Sequence, residues 1–166
     1  MQCARKILSA EGIERWRQEQ RSRAKRVVVT NGCFDLLHVG HVSYLEAARQ
    51  HGDLLLVGVN SDAAVRELKG RGRPVNSEYD RALVLAALES VDAVFIFTER
   101  DAVQFLQRVK PDIYVKGGDY TLDTMNQDER RLVEHLGGQI ILGGHVVGKS
   151  TTHLLKKISE QPPFGI

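Results

Sequence analysis

"RVVVTNGCFDLLHVGHVSYLEAAR", residues 26–49, passes from an unbroken apolar run through a glycine-marked loop into a segment with helical spacing. The pattern is a strand handing over to a helix, and it repeats along the chain. Further strand-like runs are DLLLVGVNS (53–61), AVFIF (93–97), DIYVKG (112–117) and QIILG (139–143). Between them HVSYLEAARQHG, NSEYDRALVLAALESV, DAVQFLQRV and NQDERRLVEHLGG have helical spacing and polar starts. Strands that are apolar through most of their length, alternating with helices, belong to a parallel sheet covered on both faces. The expected fold is a doubly wound, Rossmann-like α/β sandwich with a parallel sheet of about five strands. Residues 1–24 read as a charged helical arm and 25–166 as one domain, with no repeat, low-complexity tract or long linker.

Composition narrows the function classes. The chain has 166 residues, 42% hydrophobic and 27% charged, which suits one globular core without a structural metal or disulfide. Cys3 and Cys33 form no disulfide framework and fit a reducing compartment. The N-terminal MQCARKILSAEGIERW lacks the apolar core of a signal peptide, and no run is long enough to span a bilayer. A cytoplasmic protein with no membrane partner is expected. A net charge of +2 is too small to imply nucleic acid.

In an open parallel sheet, ligands bind beyond the carboxyl ends of the strands. The loops there are NGCFDLLHVGH, NSDAAVRELKGRGRP, KGGDY and GHVVGKSTT. They bring His38, His41, Lys69, Arg71, Arg73, Lys116 and Lys149 to one edge, with glycines such as Gly32, Gly40, Gly118 and Gly148. A cationic, glycine-rich rim beside helix N-termini suits a polyphosphate. Solvation explains any one of these cations, but not the set. If the helix begins near Val39, His38 and His41 lie on one side of its first turn, and Gly40 lets a ligand lie flat on the backbone. Imidazoles there can donate to phosphoryl oxygens that gain charge during displacement. Cys33, His38 and His41 also read as zinc ligands, but the cationic setting suits an anion better.

HVGH matches the HxGH signature of the nucleotidyltransferases related to class I aminoacyl-tRNA synthetases, and GKSTT resembles their second, serine-threonine signature. With VNSD, LKGRGRPVN and VKGGDY, these motifs most closely resemble the adenylyltransferases acting on D-glycero-β-D-manno-heptose 1-phosphate, over residues 25–158. The resemblance implies attack by a sugar 1-phosphate on the α-phosphorus of ATP, with Mg2+ as cofactor and pyrophosphate leaving. It implies that His38 and His41 stabilise the α- and β-phosphates, that Lys69 binds phosphates of both substrates, and that Arg81 reaches the leaving group. Ser150 and Thr151 would donate to the triphosphate. Asn31, Gly32, Phe34 and Asp35 would wall the nucleotide, Lys116 would join them, and Gly118 and Asp119 would meet ribose or base. Phe34 also reads as core, Asp35 as a turn cap, and Arg81 as a surface partner of Glu78. The acceptor would come from a separate sugar kinase. The helix RALVLAALESV and the habit of relatives point to a homodimer.

Rival readings are weaker. The related glycerol-3-phosphate cytidylyltransferases have an arginine where His145 stands and an acidic-tryptophan pair where GGDY stands. GGHVVGKS (143–150) fits a P-loop pattern literally, yet a P-loop normally opens its domain, and the reading leaves HVGH unexplained. A non-catalytic nucleotide-binding protein would be expected to have lost some of the phosphate donors. A dinucleotide-binding dehydrogenase would need G-x-G-x-x-G after the first strand.

Overall fold

The computed structural model describes residues 2–118, 120–143 and 151–160. A 3-10 turn, Cys3–Lys6, leads into β1 (Ile7–Leu8) and α1 (Ala10–Ser22). β2 (Val27–Gly32) passes to α2 (Val39–Arg49), and β3 (Leu54–Asn60) to α3 (Asp62–Lys69) and α4 (Glu78–Ala86). β4 (Ala93–Phe97) passes to α5 (Val103–Val109) and β5 (Ile113–Lys116) to α6 (Gln127–His135), while β6 (Gln139–Leu142) precedes α7 (Thr151–Ser159). The sheet has six strands in the order β1-β4-β3-β2-β5-β6, all pairs parallel. The expectation of about five strands is corrected by β1, whose Ile7 and Leu8 pair with Val94 and Phe95. Two residues are too few to show any periodicity. α3 was also hidden, because its residues read as loop; Ser61 caps it, its hydroxyl accepting from Ala64 N at 3.2 Å.

Alternation along each strand builds two cores. Val28, Leu55, Val57 and Val94 face a layer with Tyr44 and Leu45 of α2 and Ala82, Leu85 and Ala86 of α4. Val27, Val29, Leu56 and Phe95 face the other way, onto Ile13 of α1, Phe105 and Leu106 of α5 and Val133 of α6. The apolar face of α4 is thus spent on the sheet, leaving Val84 as its exposed aliphatic residue. The N-terminal segment lies against the sheet too: Ile13 is fully buried, and the Lys6 ammonium donates to the carbonyls of Leu88 and Val91. From β2 the chain steps outward to β3 and β4 on one side, then returns to β5 and β6 on the other. The carboxyl ends of β2 and β5 therefore diverge into a crevice, the place where such sheets bind ligands.

Candidate active site

A cleft of about 850 Å³ opens at that crevice. Of the residues singled out from the sequence, Asn31, Gly32, Phe34, Asp35, His38, Gly40, His41, Lys69, Lys116, Gly118 and Thr151 line it. Asp119, His145, Gly148, Lys149 and Ser150, and with them most of the GGHVVGKS pattern, lie outside the described residues.

His38 is the N-cap residue of α2, in extended conformation and without a side-chain capping bond. Its ring stacks on that of His41, with centroids 3.9 Å apart and planes 21° apart, and Phe34 meets His41 edge-on at 5.3 Å. Phe34 packs in the core and lines the cleft. Burial draws the His41 pKa down to about 4, the neighbouring His38 adds to the drop, and the Leu36 backbone opposes it. The ring is therefore neutral at pH 7, and its buried Nδ1 has no hydrogen-bond partner among the described residues. Thr151, at the start of α7, donates to the Leu36 carbonyl at 3.3 Å, which ties this helix to the histidine loop. Among the described residues no group of three or more His, Cys, Asp or Glu side chains could hold a metal ion, so Cys33, His38 and His41 are not gathered as zinc ligands. Burial raises the Cys33 thiol pKa against the pull of Lys69, Arg81 and Arg73, which disfavours a thiolate.

Arg81 does not line the cleft. Its guanidinium is buried and makes four hydrogen bonds: it donates to the carbonyls of Asn76 at 3.1 Å, Cys33 at 2.5 Å and Asn60 at 2.8 Å, and to Asp62 at 2.8 Å. Here the guanidinium staples three loops together, and its carboxylate partner is Asp62 rather than Glu78. The Glu78 carboxylate instead accepts from Asp62 N at 2.7 Å. Asp35 is likewise spent on structure: it pairs with Arg73 and accepts from Val75 N at 2.7 Å and Asn76 N at 3.2 Å. These bonds hold the segment after α3 beside the cleft, where Lys69 stands exposed at the rim.

Across the crevice, β5 is followed by Gly117 and Gly118. A Cβ on Gly117 would lie 2.7 Å from the Tyr44 ring, whose hydroxyl is pinned by Thr30 and the Val115 carbonyl. Gly118 has φ of +103°, which an L side chain rarely adopts. The Lys116 ammonium is not free, since it contacts Glu129 at 2.7 Å, Tyr114 at 2.9 Å and Asn31 at 3.3 Å. The cleft also has walls that the sequence reading missed: Asn60, Arg100, Asp101, Tyr120, Asn126 and Glu129. Arg100 and Asp101 follow β4, so the rule applied to the other strand ends would have found them. Glu129 sits in the first turn of a helix, and only its burial reveals it.

The comparisons agree with this geometry. The family model described as cytidylyltransferase-like matches residues 29–154. The bifunctional protein HldE of Syntrophotalea carbinolica is 48% identical over 94% of this chain, and that of Mesorhizobium japonicum 50% identical over 90%. The chain spans 31% and 29% of the lengths of those relatives. Among solved structures, a lipopolysaccharide core biosynthesis protein from Thermoplasma volcanium is 29% identical with a TM-score of 0.60, covering 72% of this chain and 94% of its own. A pantoate-beta-alanine ligase from Francisella tularensis, 15% identical with a TM-score of 0.52 over 82% of this chain and 65% of its own, shares the fold. With the HVGH pair stacked at the crevice and the family model spanning both of its walls, the chain belongs to the cytidylyltransferase-like family of HxGH nucleotidyltransferases.

Proposed function

We propose that the chain transfers AMP from ATP to a sugar 1-phosphate, D-glycero-β-D-manno-heptose 1-phosphate above others, releasing pyrophosphate and an ADP-sugar. The observation that carries this reading is the stacked His38–His41 pair at the uncapped start of α2, opening into a cleft with Lys69 and Thr151. Five motifs in order, through their resemblance to heptose 1-phosphate adenylyltransferases, support the acceptor class, and the similar solved structure from Thermoplasma volcanium is described as a lipopolysaccharide core biosynthesis protein. An oxygen of the acceptor phosphate attacks the α-phosphorus, and the bond from that phosphorus to the α–β bridging oxygen breaks, its electrons leaving with pyrophosphate. The second pKa of a phosphate monoester is about 6, so the nucleophile is an anion at neutral pH and needs no general base. The protein's work is alignment and charge stabilisation. The neutral His41 ring has one N–H, which donates to a phosphoryl oxygen, and Lys69 spans the phosphates of both substrates. Mg2+ would enter on the triphosphate and offset charge on the leaving group, since Asp35 is already committed to Arg73, Val75 and Asn76.

In this reading the acceptor is supplied by a kinase that phosphorylates a sugar at its anomeric oxygen, and the chain acts as a homodimer. The test is incubation with ATP and a panel of sugar 1-phosphates while pyrophosphate is followed. Release only when both substrates are present is expected; orthophosphate, or no turnover with any acceptor, would contradict the reading. Transfer from CTP to a polyol phosphate is the second reading, favoured by the description of the matched family. The same assay with CTP and glycerol 3-phosphate decides between them.

A further inference from the structure

The floor of the cleft between β2 and β5 holds a polar cluster that the transfer chemistry leaves unused. Glu129, 3% exposed, accepts from Ala102 N at 3.1 Å with one oxygen, and contacts Tyr114 at 2.8 Å and Lys116 at 2.7 Å with the other. Tyr114 also reaches Asn31 Oδ1, at 2.6 Å. Its pKa is raised well above the ordinary value, by burial first and then by Glu129, so the phenol keeps its proton. That one proton has two acceptors within reach. Tyr114 alone therefore does not orient the Asn31 amide.

Lys116 does. An ammonium has three donors and no acceptor, so the Asn31 atom that it touches at 3.3 Å is the carbonyl oxygen. With Oδ1 turned inward, the Nδ2 amide has no acceptor among the described residues, and Asn31 lines the cleft. Glu129 is the anion that keeps the ammonium in this position. Resting on the nucleotidyl-transfer reading above, we infer that Asn31 donates from Nδ2 to an acceptor oxygen of the bound nucleotide, and that Glu129, acting through Lys116, is the positioning residue that keeps the amide facing that way. The same carboxylate holds Ala102 N, next to Arg100 and Asp101 on the rim, so one buried charge from α6 sets both walls of the crevice.

The test is titration of the protein with Mg-ATP by calorimetry, alongside pyrophosphate release as a separate assay. Asn31→Ala removes the donor without adding a charge; Glu129→Gln keeps the shape and removes the charge. Each is expected to weaken ATP binding about tenfold, the scale of one hydrogen bond. The double variant is expected to be little worse than either single one, since both act through one amide. The KM for the acceptor should stay within about twofold. Wild-type-like ATP affinity in either variant, or a fully additive double variant, would overturn the inference. A Glu129→Gln protein that melts earlier yet binds ATP normally would show a purely structural ion pair, and overturn it too. If wild type binds ATP but never releases pyrophosphate, the transfer reading fails while the binding comparison still decides the role of Glu129.

Discussion

Burial holds the His41 ring in its neutral form. Its pKa falls from 6.5 to about 4 on folding, so between those values the unfolded chain binds more protons than the folded one. The stability that the neutral ring contributes is present above about pH 6.5 and is lost as pH falls through about 4. Melting temperature against pH should drop more steeply over this window for wild type than for His41→Gln; parallel curves would show that the ring is not desolvated. In turnover, His41→Ala should lose about 10²–10³ in kcat, as when one preorganised donor is removed, with nucleotide affinity much less affected. Near-normal kcat would take the imidazole out of the mechanism. The histidine pair was legible because HVGH is local in sequence. Lys116 was legible as a cation at a strand end, but not as one already bonded to Glu129 thirteen residues on, since only the fold brings the two together.

At the level of elements, the loops that frame the cleft depend on α4. Arg81 binds carbonyls from the ends of β2 and β3 and from the loop before its own helix, and its side chain is 0% exposed. Arg81→Met strands those acceptors and the Asp62 charge, so it should cost about 3–5 kcal/mol of unfolding free energy in urea titration. A loss below about 1 kcal/mol would make the guanidinium dispensable for framing. The sequence pattern put Arg81 on a helix correctly, yet helical spacing says nothing about whether a cation faces solvent, ligand or three carbonyls. The five longer strands and the four helices expected between them were readable because period and length agree. β1 and α3 were not, being a two-residue edge strand and a short helix whose apolar face was masked by charge.

For the molecule as a whole, two layers on a parallel sheet hold the crevice open. The N-terminal segment contributes to one of them: Ile13 is 0% exposed against the layer that includes Phe105 and Val109. Ile13→Ala should cost about 2–5 kcal/mol, measured by chemical denaturation. An unchanged midpoint would show that α1 folds apart from the rest. In the proposed reaction the crevice directs attack to the α-phosphorus of ATP. This is tested most directly by supplying ATP radiolabelled at either the α- or the γ-phosphorus together with heptose 1-phosphate. The α-label should appear in the sugar product and the γ-label in pyrophosphate; γ-label in the acceptor or in orthophosphate would rule out attack at the α-phosphorus.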